Sequence, residues 1–121
     1  MYEVEIDATR NLLFVTYREQ VSRDEARQCK EEIAHALETL PPGFRLLTDL
    51  SGLDAMEYAC APEIQAMMDL FRKNGVTEVV RVVPDPKKDI GFTVMSYFHY
   101  DRETPVLTFE SREEALEKLL A

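Results

Sequence analysis

Two short polar clusters follow predicted strands and contain the residue types that metal-dependent phosphoryl transfer uses. Asp49, Ser51 and Asp54 follow the third predicted strand, and Asp85 and Lys87 follow the fourth. Ligands in open α/β sheets bind beyond the carboxyl ends of the strands, and hard cations such as Mg²⁺ prefer oxygen ligands. One hypothesis is therefore a Mg²⁺-dependent phosphoryl-transfer enzyme, with a cation- and phosphate-binding rim formed by Asp49, Ser51, Asp85 and Lys87. Tight turns require the same residue types, so these positions also have a purely structural interpretation.

The histidines and cysteines favour structural roles. His35 is flanked by glutamates at positions 31 and 38 of a predicted helix, and His99 comes near the end of another. The two lie in different elements without the spacing of a metal-binding pair. Cys29 falls on a buried helix stripe, where it is expected to act as a small hydrophobe. Cys60 precedes a helix start, where a thiolate is stabilised and its pKa falls, but no histidine is near it in sequence. We assign no catalytic residue, metal or cofactor.

Composition limits the classes of function. The chain has 121 residues, enough for one domain over 1–121, and a net charge of −9. That charge disfavours nucleic acid and anionic membrane surfaces; it suits a basic partner or a bound cation, or serves solubility alone. No apolar run approaches the roughly 18 residues of a membrane span, and the acidic N-terminal segment lacks the pattern of a signal peptide. With two cysteines and no CxxC spacing, we predict a cytoplasmic protein.

The first part of the chain has the patterns of an antiparallel hairpin and then a helix. Apolar and acidic residues alternate over 2–7, and the strand formers of 12–17 follow a polar turn. Ser22 and Glu25 have the spacing of a capping box, which predicts a helix start there. A buried stripe then recurs in steps of three and four before the breakers at 41–43: Ala26, Cys29, Ile33, Ala36, Leu37 and Leu40.

A strand is predicted over 44–49, followed by a loop that continues to Cys60. The second helix starts at Pro62, which suits a first helical turn, and ends at Asn74-Gly75. Its apolar face consists of Ile64, Met67, Met68 and Phe71.

The β-branched run over 76–83 is typical of a strand covered on both faces. A third helix is predicted over 90–100 and a last strand over 105–109. Ser111 and Glu114 form a second capping-box pattern. The helix that it opens is expected to bury Ala115, Leu116, Leu119 and Leu120.

These elements occur in the order ββαβαβαβα. Strands alternating with helices predict an α/β fold with right-handed crossovers. We therefore expect a mixed, mostly parallel five-strand sheet with four helices.

The segment LLTDLSGLDAMEYACAPEIQAM, from Leu46 to Met67, resembles the third strand and following loop of the STAS domain, the SpoIIAA-like fold of anti-sigma factor antagonists. The tail VLTFESREEALEKLL resembles the last strand and helix of that family. The resemblance spans essentially the whole chain. It implies a non-enzymatic regulatory module that docks to another protein through this loop and the second helix.

The sequence departs from the family where the resemblance would place a phosphorylated serine. The aspartate-serine-serine-glycine segment of the family is in register with Glu57, Tyr58, Ala59 and Cys60. Ala59 has no hydroxyl, so a phosphoserine switch at that position is chemically impossible. Glu57 and Asp54 place negative charge near a helix N-terminus, and one hypothesis is that Glu57 mimics a permanently phosphorylated state.

The predicted third helix, IGFTVMSYFHY, is apolar on nearly every side. Such a helix is either deeply buried or covered by another surface. It is therefore a candidate for a homodimer interface or an apolar ligand groove.

The leading hypothesis is a protein-interaction module whose partner-binding residues are Asp54, Glu57, Tyr58, Ala59, Cys60 and Phe92. A carrier of small apolar or lipid ligands is one alternative, because the lipid-binding CRAL-TRIO domains are often placed beside this fold. The phosphoryl-transfer enzyme is the other.

Overall fold

Five strands form one mixed sheet whose spatial order follows the chain. The computed structural model describes residues 1–85 and 104–121. The strands are β1 (Tyr2–Asp7), β2 (Leu12–Val21), β3 (Arg45–Met56), β4 (Glu78–Val82) and β5 (Val106–Phe109), in the order β1-β2-β3-β4-β5. β1 is antiparallel to β2, and all other neighbours are parallel. The predicted mixed, mostly parallel five-strand sheet is confirmed.

Three α-helices lie in the described ranges: α1 (Arg23–Leu37), α2 (Ala61–Lys73) and α3 (Arg112–Leu120). A single 3₁₀ turn, Tyr58–Cys60, leads directly into α2. The predicted helix over 90–100 lies outside the described residues, as do Lys87, Phe92 and His99.

The helix starts follow the local signals in the sequence. Ser22 Oγ accepts the N–H of Glu25, and Glu25 Oε1 accepts the N–H of Ser22, both at 3.2 Å. This reciprocal pair confirms the predicted capping box of α1. At α3, Ser111 Oγ accepts the N–H of Glu114 at 3.2 Å, which is one arm of the second predicted box. Each bond satisfies a backbone donor that the helix itself leaves unpaired.

The two faces of the sheet bury separate apolar clusters. α1 and α2 cover the larger cluster, which includes the whole predicted stripe of α1 and the predicted apolar face of α2. α3 covers the smaller cluster on the opposite face, with Leu12, Leu47, Val80, Val82, Ala115 and Leu119. Burial of each large side chain contributes about 1.5–3 kcal/mol. β4 gives residues to both clusters, as its continuous apolar run predicts.

The third strand is longer than predicted. Instead of ending at Asp49, β3 continues to Met56 beside the extension of β2 to Val21. The register shifts between Thr16 and Arg18 and again between Glu19 and Gln20, and at each shift β3 has one residue more than β2. A β-bulge of this kind lets two strands stay paired across an extra residue. Glu19, at the second shift, has a φ of +56°. Leu53 and Met56 are buried in this extension, so core packing stabilises as a strand a segment that the sequence pattern predicts to be a loop.

Two further expectations are wrong at the edges of the fold. Leu120 is 50% exposed, although it was expected on the buried side of the last helix. α1 ends at Leu37, and Leu40 reaches the core from the turn that follows.

Candidate functional site

The turn between β3 and α2 exposes an aromatic side chain. Tyr58 is 66% exposed, Ala59 beside it is exposed, and Cys60 is fully buried. Tyrosine is enriched at protein interfaces, because its ring offers a large apolar area and its hydroxyl can form a hydrogen bond.

Contacts to the start of α1 fix this turn in place. Glu57 Oε1 accepts the backbone N–H of Arg23 at 2.7 Å, and the N–H of Glu57 donates to the carbonyl oxygen of Val21 at 3.2 Å. The Cys60 thiol also contacts that carbonyl, at 3.6 Å. The turn is thus bonded to the junction between β2 and α1, and Tyr58 projects from a rigid support.

The Glu57 carboxylate has an internal role. It satisfies the first N–H of α1, one of the donors that a helix leaves unpaired, and its charge lies at the positive end of the helix dipole. The hypothesis that Glu57 imitates a phosphate at the start of α2 therefore needs correction, because the carboxylate caps α1.

Asp54, the first residue of the predicted docking loop, lies in strand β3. Its exposed side chain lines a shallow depression with Glu19, Gln20 and Glu25. The predicted loop from Asp54 to Cys60 is therefore two structures: the end of a strand and a 3₁₀ turn. Both lie at the same end of the sheet, so their acidic and aromatic groups share one surface.

Neither cysteine has the properties of a reactive thiol. Burial raises the pKa of Cys29 to about 12. Burial, followed by the charge of Glu57, raises the pKa of Cys60 to about 11. The lowering expected from the helix start does not occur, because Cys60 points into the core. Both thiols are buried, as their interpretation as structural residues expects.

The structure does not bring the residues of the hypothesised cation rim together as one exposed group. β3 and β4 are neighbours, as the hypothesis requires. Asp49 is only 4% exposed: its Oδ1 accepts from the N–H and Oγ of Ser51 at 2.9 and 2.6 Å, and its Oδ2 lies 3.0 Å from Nη1 of Arg112. Asp85 is exposed just after β4, and Lys87 lies outside the described residues. The Arg112 guanidinium occupies the place where a cation would bind Asp49.

Arg112 and Thr16 were not predicted to share a site. Arg112 Nη1 also donates to Thr16 Oγ1, at 3.1 Å, so one guanidinium joins β2, β3 and α3. No local pattern marks these partners, because 96 residues separate them. Among the described residues, no group of three or more His, Cys, Asp or Glu side chains is arranged to hold a metal ion.

Two grooves flank α1. One, of about 680 Å³, lies between α1 and the edge strand β1, and it is lined by Tyr2, Val4, Ile6, Gln28, Glu31, Glu32, His35 and Ala36. The other, of about 360 Å³, lies between α1 and α2. The side chain of His35 is 85% exposed, and its Nδ1 lies 3.4 Å from Glu38, which confirms the interpretation of a solvated imidazole.

Solved structures show what this fold is similar to. The anti-sigma factor antagonist SpoIIAA in its unphosphorylated form matches with a TM-score of 0.70 at 14% identity, over 100% of this chain and 99% of that chain. A putative anti-sigma factor antagonist from Thermotoga maritima matches with a TM-score of 0.63 at 16% identity, over 100% of this chain and 96% of that chain. A third match is an uncharacterized protein of the DUF3478 family from Shewanella loihica, which has a SpoIIAA-like fold. Its TM-score is 0.62 at 17% identity, over 98% of this chain and 92% of that chain.

The chain therefore has the SpoIIAA-like fold of STAS domains, as the resemblance in its sequence predicts. No family model and no curated protein matches the sequence. Within residues 1–85 and 104–121, no helix is long and apolar enough to cross a membrane.

Proposed function

We propose that this protein is a non-enzymatic regulatory module that docks to another protein through the surface around Tyr58. The observation that carries the proposal is the 66% exposure of this aromatic side chain on a turn that is bonded to α1. A rigid aromatic group contributes a large contact area at little cost in conformational entropy, and such groups dominate the energetics of interfaces. The docking surface consists of Asp54, Glu57, Tyr58, Ala59 and the exposed part of α2.

The solved structures with a similar fold support a proposal for the class of the partner protein. Two of the three solved structures named above are described as anti-sigma factor antagonists, proteins that act on another protein. By this likeness, the proposed partner belongs to the anti-sigma factor class. Ala59 cannot accept a phosphate, so the module works without the serine switch at that position. We propose that one domain spans residues 1–121, with a helix over 90–100, and that it acts in the cytoplasm.

The parallel pairing of β4 with β5 supports that additional helix, because parallel neighbours need a crossover, which is usually helical. The phosphoryl-transfer alternative loses support, because Arg112 already neutralises Asp49. A carrier of apolar ligands would need an enclosed apolar cavity, whereas the groove between α1 and β1 is open and bordered by the exposed carboxylates of Glu31 and Glu32.

Site-specific photocrosslinking in the native host tests the proposal. A benzophenone side chain at position 58 is expected to give one discrete crosslinked protein, and Tyr58→Ala is expected to abolish the complex on size-exclusion chromatography. The matched control is position 120, because Leu120 is a similarly exposed apolar side chain on α3, across the sheet from α1 and α2. Equal crosslinking from both positions, or a complex that survives Tyr58→Ala, contradicts the proposal.

A further inference from the structure

Within residues 1–85 and 104–121, no strand pairs with the outer edge of β1, whose backbone groups follow a regular pattern. β1 is the edge strand of the sheet in the part of the chain that the structure describes. The N–H of Arg18 donates to the carbonyl oxygen of Met1 at 2.8 Å, so these two residues form a hydrogen-bonded pair in the β1–β2 ladder. Bonded and non-bonded pairs alternate in antiparallel sheets. The backbone groups of Tyr2, Val4 and Ile6 therefore point away from β2, along the open edge.

The same three residues line the groove under α1. Their side chains form its apolar floor, and Glu31 and Glu32 are on the helix side of this space of about 680 Å³. Partial burial, followed by the charge of the Glu32 carboxylate, raises the pKa of Tyr2 to about 12. A strand added beside β1 would satisfy the edge backbone groups and place every second side chain in this groove.

The charges around the edge specify the kind of strand that fits. Glu31 and Glu32 line the groove, and Glu5 is exposed on the other face of β1. These three carboxylates make no ion pair within residues 1–85 and 104–121, whereas Glu3 and Asp7 are paired with Arg18 and Arg10. An incoming segment with cationic side chains would therefore meet unpaired carboxylates on both sides of β1.

A second copy of this chain is a poor occupant. Antiparallel pairing of two β1 strands would place the acidic residues Glu3, Glu5 and Asp7 of each copy beside those of the other. Like charges directly opposite one another destabilise a strand pair.

We propose that this edge groove, formed by β1 and α1, binds an extended, lysine- or arginine-bearing segment of another protein as a sixth strand. The edge groove does not include Tyr58, so this inference is independent of the docking surface proposed above. Backbone hydrogen bonds to Tyr2, Val4 and Ile6 provide the pairing, and the unpaired carboxylates select for positive charge.

Titration of the ¹⁵N-labelled full chain with a blocked synthetic peptide of alternating lysine and valine, about seven residues long, tests this binding. The amides of Val4 and Ile6 are expected to shift and to gain protection from hydrogen exchange. Those of Glu3 and Glu5, already bonded to β2, are expected to change less. No shift at about 1 mM peptide, or shifts confined to the Tyr58 turn, overturns the proposal.

Two controls separate strand addition from general attraction between opposite charges. A peptide N-methylated at alternate residues keeps its charge but cannot form the backbone ladder, so its binding is expected to be lost. The double variant Glu31→Lys, Glu32→Lys is expected to weaken binding at least about tenfold, whereas Glu113→Lys on α3 is expected to leave it unchanged. Equal binding of the methylated peptide, or equal weakening by Glu113→Lys, overturns the proposal.

Discussion

Arg112 donates from Nη1 to Oδ2 of Asp49 at 3.0 Å, an ion pair that joins the first turn of α3 to β3. The same nitrogen donates to Thr16 on β2, and the guanidinium carbon lies 5.9 Å from the centre of the Phe14 ring. A nearly buried carboxylate such as that of Asp49 has lost its water and depends on the donors around it. Arg112 therefore fastens α3 to the sheet as well as neutralising Asp49.

Arg112→Ala is expected to lower the free energy of unfolding by about 1–3 kcal/mol, because it leaves the Asp49 carboxylate buried without a cation. Urea denaturation measures the change. Arg10→Ala is the matched control: its pair with Asp7 also spans 3.0 Å but lies at the surface, and such pairs contribute at most about 1 kcal/mol. Asp49→Asn in the Arg112→Ala background should recover part of the loss. Equal losses from the two arginine variants would contradict this role.

Local signals in the sequence predicted much of this fold. Ser22 with Glu25 marks the start of α1, and Asn74-Gly75 marks the end of α2. Each depends on hydrogen bonds or backbone angles within a few residues, so the pattern alone identifies it. The alternation over 2–7 predicted β1, because successive side chains of a strand point to opposite faces of the sheet.

Features that depend on distant partners could not be predicted in this way. The extension of β3 to Met56 needs its partner strand β2, more than thirty residues earlier, and the register shifts that keep the two strands paired. Asp49 was identified as a candidate for chemistry by its position after a strand, but 63 residues separate it from Arg112, which neutralises it. The resemblance placed Tyr58 in the connection before α2, where the structure has a 3₁₀ turn, whereas the bond from Glu57 to α1 needed the folded chain.

The buried thiols predict a loss of stability in alkali. The pKa values of Cys29 and Cys60 are about 12 and about 11 in the folded protein, against 9.0 for an ordinary thiol. At a pH between the ordinary value and the raised values, the thiols keep their protons in the folded protein but lose them in the unfolded chain. The free energy of unfolding therefore falls as pH rises above 9.0. Urea denaturation at about pH 8 and about pH 10.5 measures the decrease.

The double variant Cys29→Ala, Cys60→Ala is the control for this pH dependence. Its absolute stability will differ, because both side chains are in the core. Its decrease over the same pH interval should be smaller than that of the unmodified protein. Tyr2 contributes to both proteins, because its pKa is also raised, from 10.0 to about 12. An identical decrease in both would show that the thiols are not its source.

Gly75→Ala is expected to destabilise the end of α2 by about 1–2 kcal/mol. Gly75 has a φ of +87°, and a Cβ there would lie 3.0 Å from Cβ of Pro42 and 3.3 Å from its Cα. Gly52→Ala is the control, because the nearest atom to its Cβ would be the flexible Cγ of Arg18 at 3.4 Å. Thermal or urea denaturation should separate the two variants. A similar loss in both would mean that Gly75 is not under this constraint.

The bond from Glu57 to the first N–H of α1 makes a prediction about both stability and docking. Glu57→Ala removes the acceptor for the Arg23 amide, so that amide should exchange with solvent faster, and the protein should lose about 0.5–1 kcal/mol of stability. Glu57→Gln keeps an oxygen at the same place and should retain most of the protection. Hydrogen exchange measured by NMR distinguishes the three proteins at this one position.

The same variants test whether the cap holds Tyr58 ready for a partner. If the turn is ordered through Glu57, then Glu57→Ala should weaken docking while leaving Tyr58 itself intact, because part of the binding free energy must then order the turn. Glu57→Gln should dock nearly as well as the unmodified protein. Equal weakening of docking by Glu57→Gln and Glu57→Ala would instead mean that the partner binds the charged carboxylate of Glu57 directly. Unchanged docking of the Glu57→Ala variant would show that the turn is ordered without this hydrogen bond to α1.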